Sequence, residues 1–132
     1  MERSKPLLLL DNNSLLEVLH QGNYRVQEIS FEEVKAIVEM QNSREITRCF
    51  ADAVIEDLLY RHLDIAVSNF RYAPADLLEP GQDAIVFRLY VTPSETQPSV
   101  RTSYGNEATK IQNLYVYCQF ITRDDPDDLA KP

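Results

Sequence analysis

Residues 7–19 read LLLLDNNSLLEVL, and this stretch decides how the chain begins to fold. The four leucines form an apolar run with the length of a buried strand, and leucines return after three polar residues. Ser14, Leu15, Leu16 and Glu17 fit the capping box, in which serine and glutamate side chains bond backbone N–H groups at a helix start. The pattern predicts a strand, a tight loop and a helix that starts at Ser14.

The polar interruption formed by Asp11, Asn12 and Asn13 admits two interpretations. The N-terminus of a helix offers unbonded N–H groups and a partial positive charge, and such a position commonly binds an anion. Alternatively, the three residues only form a turn, because Asp and Asn side chains stabilise turns. The stretch by itself leaves both interpretations open.

The remaining pattern predicts an α/β or α+β domain of order β-α-β-α-α-β-β-β, with three helices packed on a mixed sheet of about five strands. A second capping box, Ser30-Phe31-Glu32-Glu33, predicts the second helix. Apolar residues at helical spacing predict a third helix over residues 47–62. Alternation and turn signals predict strands over residues 24–29, 65–72, 84–91 and 111–121.

Strand alternation assigns residues to the two faces of the predicted sheet. The first face receives Ile85, Phe87, Leu89, Val91, Leu114, Val116, Cys118 and Phe120, and the second receives Ala84, Val86, Arg88, Tyr90, Tyr115 and Tyr117. Tyr115 and Tyr117 would form a dimer contact, a solvent-facing pair or part of the core. Between the last two strands, the polar segment 93–109 is long enough to be a lid or a disordered excursion.

Composition bounds the classes of function. The 132 residues suit one domain over residues 1–123, and the acidic run from Asp124 to Asp128 predicts a disordered tail over residues 124–132. A net charge of −8 argues against nonspecific DNA or RNA binding, which needs a broad basic surface. The apolar runs are too short for a membrane span, so we expect a cytoplasmic protein.

The cysteines and histidines predict no metal centre. Cys49 and Cys118 show neither disulfide-framework nor metal-ligand spacing, so no metal and no cofactor are expected. Cys49 at a helix start would have a lowered thiol pKa, whereas a buried cysteine would be inert. His20 and His62 fall at predicted helix C-termini, where histidine complements the helix dipole.

Three segments, in this order and spacing, resemble a known family. They are residues 9–14, residues 24–34 with their strand and capping box, and residues 80–89, which read PGQDAIVFRL. The chain over residues 6–95 is similar to the small ring nucleases of archaeal viruses, phages and prokaryotes, whose founding structure comes from an archaeal turreted icosahedral virus. These proteins antagonise type III CRISPR signalling by degrading cyclic tetra-adenylate.

The resemblance implies a homodimer with a cyclic tetra-adenylate pocket on its two-fold axis. The first strand–helix loop, the start of the third helix and the central strand line that pocket in the family. Asp11 and Ser14 fall at the family's ligand-contacting Asn and Ser, with Asn12 between them. Asp11 would place a negative charge near phosphate, unless it reads a ribose 2′-hydroxyl.

Departures from the family pattern affect catalysis. Ile46-Thr47-Arg48 stands for the family's Ile-Gly-His, whose histidine is the proposed general acid in a metal-independent attack by a ribose 2′-hydroxyl. Arginine stays protonated in proteins, so Arg48 cannot donate that proton, but it can pair with phosphate. The family's Arg-Leu-x-Glu-Gly appears as TPSET over residues 92–96, which keeps Glu95 and loses an arginine. Arg71 stands for another phosphate-binding arginine.

The residues and the resemblance together favour a cyclic oligoadenylate-binding protein of viral or mobile-element origin, with weak or absent ring-nuclease activity. Its catalytic residue is unknown. The expected ligand-binding residues are Asp11, Asn12, Ser14, Thr47, Arg48, Arg71 and Glu95. The alternative is a protein–protein interaction module, such as an anti-CRISPR or host-takeover factor that masks a host defence protein through its acidic surface.

Overall fold

The computed structural model describes residues 5–12, 14–15, 23–40, 45–50, 52–64, 70–74, 78–91, 109–111 and 114–124. Helices α1 (Phe31–Glu39) and α2 (Ala53–Leu63) are complete within these ranges. The strands are β1 (Leu7–Leu10), β2 (Tyr24–Ile29), β3 (Ile46–Arg48), β4 (Arg71–Tyr72), β5 (Asp83–Val91), β6 (Thr109–Ile111) and β7 (Leu114–Arg123). The class is α+β, as the sequence predicts, with more strands than the five expected.

The strands form one mixed sheet in the described part of the chain. Its order is β2-β7-β5-β1-β3-β4, and β6 pairs with β7 outside this path. Strands β5, β1, β3 and β4 run parallel, whereas β7 runs antiparallel to β5, β2 and β6. The carboxyl ends of the parallel strands β1, β3 and β4 therefore lie at the same edge of the sheet.

Helices α1 and α2 pack on one face of this sheet, which we call the helix face. Its core contains Leu7, Leu9, Ile85, Phe87, Val116 and Cys118 from the sheet, with Val34, Val38, Leu59, Tyr60 and Leu63 from the helices. The other face, called the tyrosine face, carries Leu8, Leu10, Ala84, Val86 and Ile121, packed against Leu15 and Leu78. The predicted alternation is confirmed for the described side chains of β5 and β7.

Tyr115 and Tyr117 also lie on the tyrosine face of β7. Both are buried within the single chain, where they form a small cluster of their own. Because both side chains are buried within the single chain, the solvent-facing interpretation is wrong and the core interpretation holds.

Several sequence patterns that act within a single short segment are confirmed by the structure. Ser30 caps α1, since its side chain accepts from the Glu33 N–H and the Glu33 carboxylate accepts from the Ser30 N–H. The expected strand over residues 24–29 is β2, and the turn before β5 contains Gly81 with φ of 79°. A glycine is favoured there because positive φ is costly for other residues.

The predicted third helix is wrong at its start. Ile46, Thr47 and Arg48 form β3, which pairs in parallel with β1, and α2 begins only after Asp52. The Asp52 side chain accepts from the N–H groups of Val54 and Ile55, which fixes the helix start. The apolar spacing misled the prediction because Ile46 is buried within strand β3 and Phe50 is buried in the loop that follows it, so neither belongs to a helix.

Several predicted elements extend beyond the described residues. Of the strand over residues 65–72, residues 71–72 form β4, and residues 65–69 lie outside the described ranges. The lid segment lies outside them except for Thr109, which opens β6. Asp124, the first residue of the expected tail, bonds Arg25 and the Asn23 carbonyl, whereas residues 125–132 are outside the described ranges. No helix in the described ranges has the length and apolarity to cross a membrane.

Candidate functional site

The carboxyl ends of the parallel strands bring the sequence-predicted residues to one edge of the sheet. Strand β1 leads into Asp11, β3 ends at Arg48, and β4 ends at Tyr72. Register places Arg48 beside Leu9 of β1 and beside Tyr72 of β4. Ligands of open sheets with parallel strands bind at this edge, so the hydrogen bonds of its side chains decide which groups are available to a ligand.

Asp11 is the N-cap of the helix that follows β1, which corrects the predicted start at Ser14. The Asp11 carboxylate accepts from the Ser14 N–H at 2.8 Å, and the Ser14 hydroxyl oxygen accepts from the Asp11 N–H at 2.8 Å. Asn12 is already helical, and the Leu15 N–H donates to the Asp11 carbonyl at 3.0 Å. These bonds form a capping box shifted three residues toward the N-terminus.

The buried Asp11 carboxylate also fixes the next loop at this edge. Its Oδ2 accepts from the N–H of Asp52, the N-cap of α2, at 3.3 Å. Its Oδ1 accepts from the Ser14 hydroxyl at 2.8 Å as well. One carboxylate thus bonds the starts of two helices. The first role of the polar interruption after β1 is therefore structural.

Asn12 ties the same loop to the central strand. Its Nδ2 donates to the Leu89 carbonyl at 2.8 Å, and its Oδ1 accepts from the Leu89 N–H at 3.1 Å. The side-chain amide therefore bonds both backbone groups of Leu89, as the backbone of a neighbouring strand would. It does so beyond the point where β1 ends. Asp11, Asn12 and Ser14 all lie at the expected edge, and each makes hydrogen bonds within the protein.

Arg48 lies on the helix face within a buried polar network. Its Nη1 is 3.2 Å from Glu56 Oε1, and the Tyr60 hydroxyl donates to Glu56 Oε2 at 2.9 Å. Burial, followed by the Glu56 charge and this hydrogen bond, raises the pKa of Tyr60 above its usual range. Arg48 Nε is buried and has no hydrogen-bond acceptor, so the guanidinium keeps donor capacity that the protein does not fill.

Tyr72 supplies an exposed aromatic ring beside this arginine. The ring centroid lies 5.7 Å from Arg48 Cζ, which is within the range of a cation–π contact. Tyr72 is 57% exposed although it is a large aromatic residue. Arg48 and Tyr72, which we call the Arg48–Tyr72 pair, offer a positive charge and a flat apolar surface at the same point.

The other predicted residues fall outside this pair. Thr47 and Arg71 lie opposite each other in register, so both project toward the tyrosine face. Thr47 is buried and lines a pocket of about 310 Å³ together with Leu8 and Cys49. Arg71 is exposed and lies 3.7 Å from Glu45, and Glu95 lies outside the described residues.

Cys49 matches the inert alternative. Burial raises the pKa of its thiol to about 11, with a further contribution from the charge of Glu56. The thiol is therefore protonated near neutral pH and is a poor nucleophile. Among the described residues, no group of three or more His, Cys, Asp or Glu side chains is placed to hold a metal ion.

Sequence reasoning missed the residues that surround Arg48. Glu56 and Tyr60 are one helical turn apart on α2, and this spacing is the signal that would have placed both on one helix face. Tyr72 carried no comparable signal, because its position beside Arg48 depends on the pairing of β4 with β3. His62 lies in the last turn of α2, as predicted, with its ring edge-on to Phe31.

Comparison with known proteins adds no relative to this description. No protein-family model matches the chain, and no curated protein matches it. The similarity to ring nucleases remains a prediction made from short segments.

Proposed function

We propose that the protein binds a cyclic oligoadenylate at the Arg48–Tyr72 pair, as a homodimer of viral or mobile-element origin that acts in anti-defence. The observation that carries the proposal is Arg48 itself. Its guanidinium is partly buried, pairs with Glu56 through one terminal nitrogen, and lies against the exposed ring of Tyr72 at the edge where the parallel strands end. An arginine beside an exposed aromatic ring suits a phosphate joined to a stacking base.

Glu56 prepares Arg48 for this role and also limits it. The ion pair holds one side of the guanidinium, which leaves its remaining N–H groups for a phosphate oxygen. Glu56 also neutralises the arginine charge, and Asp11 and Asp52 add negative charge at the same edge. A single protomer therefore attracts an anion weakly, which favours a dimer in which two Arg48 side chains share one cyclic ligand.

The same geometry favours binding without rapid cleavage. The family's histidine opens the third helix, and in this chain the residue at that opening is Asp52, which acts as an N-cap acceptor. An arginine such as Arg48 is not a general acid, because the guanidinium is not deprotonated in proteins. The proton of Tyr60 is bonded to Glu56, and its pKa is raised. None of these three described side chains is suited to protonate a leaving 5′-oxygen.

Isothermal titration calorimetry with cyclic tetra-adenylate tests the proposal. We expect one ring per two chains and about tenfold or greater weakening in Arg48→Met, since one charge-assisted hydrogen bond contributes about 1.5–3 kcal/mol. Arg61→Met is the matched control, because Arg61 is exposed on α2 and pairs only with Asp57 among the described residues. Chromatography of the incubated ligand then separates binding from cleavage. An absence of heat with cyclic tetra-adenylate and related rings would remove the proposal.

A protein-interaction role is the second candidate, and the acidic exterior favours it. Glu32, Glu39, Asp57 and Asp64 are exposed on or beside the two helices, and the net charge is −8. Such a surface accelerates association with basic, nucleic-acid-handling proteins. Capture of a basic host protein by the wild type and by Arg48→Met alike would support this role, because that variant leaves the acidic surface intact.

A further inference from the structure

Arg88 is a cation on the tyrosine face that the proposed nucleotide site does not use. It projects from β5 on the side opposite α1 and α2, directly across from Tyr117 of β7. Arg88 is half-buried, and its Nε is buried with no hydrogen-bond acceptor. Tyr117 and its neighbour Tyr115 are buried on the same face.

The other arginines in the described part of the chain all have acceptors. Arg25 bonds Asp124, Arg48 bonds Glu56, Arg61 bonds Asp57, Arg71 lies within ion-pair distance of Glu45, and Arg123 bonds the Leu78 carbonyl. Three of these arginines are mostly exposed and need a partner less than Arg88 does. Arg88 therefore combines partial burial with the lack of an acceptor for its guanidinium among the described contacts.

The described positions around Arg88 provide no carboxylate. Across on β7, Tyr117 lies directly opposite, with Tyr115 and Gln119 on the diagonals. On the other side β1 has already ended, and the Asn12 amide there is bonded to Leu89. An arginine withdrawn from water without a counter-charge is unfavourable, and buried polar groups normally have partners. The described residues therefore give Arg88 no counter-charge, and a bound anion at the terminal nitrogens would supply one.

We infer that Arg88 anchors an oxyanion-binding site on the tyrosine face, and that its ligand is a phosphate group. The two terminal nitrogens of a guanidinium form a planar fork that matches two phosphate oxygens. The shielded Nε stays on the protein side, so the anion meets the end of the fork. This site is independent of the Arg48–Tyr72 pair, because Arg48 projects to the helix face and Arg88 to the opposite one.

Thermal unfolding in the presence of anions tests the site. Sodium phosphate replaces sodium chloride at constant ionic strength, so that general screening of charges does not change. Adenosine monophosphate forms a second arm and acetate a third, which separates free phosphate, phosphate on a nucleotide, and a carboxylate. The variants are Arg88→Met, Arg88→Lys and the exposed control Arg61→Met.

We expect a saturable rise in Tm for the wild type with inorganic phosphate or adenosine monophosphate, because a ligand that binds only the folded state stabilises it. The apparent Kd should weaken about tenfold or more in Arg88→Met and to a smaller degree in Arg88→Lys, which keeps the charge but loses the fork. Arg61→Met should respond as the wild type does.

The Tm measured in chloride alone distinguishes an anion-binding role of Arg88 from a structural role. Removing an unpaired, partly buried charge should leave the Tm of Arg88→Met equal to that of the wild type or higher. A marked fall in Tm for this variant, together with a wild type that responds to none of the phosphate arms, would mean that Arg88 supports the fold and would overturn the inference. An equal phosphate response in wild type and Arg88→Met would overturn it as well, since the anion would then bind elsewhere.

Discussion

The substitution Glu56→Gln examines the polar network behind Arg48. Glu56 is buried and joins Arg48 at 3.2 Å to Tyr60 at 2.9 Å. Glutamine keeps the shape of the side chain and an acceptor for the Tyr60 hydroxyl, but it removes the negative charge. The change therefore leaves the partly buried Arg48 guanidinium without its counter-charge.

The expected loss follows from the burial of the two partners. Breaking a fully buried ion pair costs about 3–5 kcal/mol. The Arg48 side chain is 26% exposed and the Glu56 side chain 7%, so water offsets part of this cost. We expect Glu56→Gln to lower the free energy of unfolding by about 2–3 kcal/mol. In urea, with a slope of about 1–3 kcal/mol per molar, the midpoint should fall by about 0.7–3 M.

The chain contains its own control on the same helix. Asp57 and Arg61 lie 3.0 Å apart, but their side chains are 61% and 80% exposed, so Asp57→Asn should cost about 0–1 kcal/mol. Urea titrations of both variants, and of Glu56→Gln combined with Arg48→Met, measure the coupling. If Glu56→Gln costs no more than Asp57→Asn, or if adding Arg48→Met recovers none of the loss, the network does not hold Arg48 as described.

Three further predictions concern the caps, the loop and the thiol. Asp11→Ala should destabilise by about 1–2 kcal/mol or more in thermal unfolding, because it removes the cap that accepts from Ser14, and Asp11→Asn should cost less. Asn12→Ala should cost about 1–3 kcal/mol in urea by leaving the Leu89 backbone groups unpaired, and an unchanged midpoint would contradict that pairing. The raised pKa of Cys49, about 11, favours the folded protein below the unfolded thiol pKa of about 9. The free energy of unfolding should therefore fall between about pH 9 and pH 11, by up to about 1.4 kcal/mol per pH unit, and this fall should be smaller in Cys49→Ala.

Patterns that depend on neighbours in sequence were predictable. The alternation of β5 fixed which of its residues face the helices, and the capping box at Ser30 fixed the start of α1. Each signal acts over a few residues and is satisfied within its own segment or by a generic apolar core. Such patterns can be interpreted correctly without knowing which strand or helix packs against the segment.

The start of α2 and the residues around Arg48 were not predictable in this way. Strand β3 has three residues, and only its pairing with β1 and β4 distinguishes it from the first turn of a helix. At the first loop, two overlapping capping boxes were possible, and the structure forms the one that begins at Asp11. Choosing between such alternatives requires tertiary contacts, which local propensity does not encode.

The hydrogen bonds at the sheet edge determine which residues remain available to a ligand. For Asp11, Asn12 or Ser14 to hold a phosphate or a ribose, each would have to give up bonds that cap one helix, fix the start of another or extend β5. Breaking buried bonds of this kind costs about 1–3 kcal/mol each, which cancels most of what a new polar contact returns. Recognition at this edge is therefore left to groups with unused donors or exposed surface, and among the described side chains Arg48 and Tyr72 combine these properties. If the proposed site binds a ligand, the polar interruption after β1 contributes by holding the frame in which Arg48 is placed.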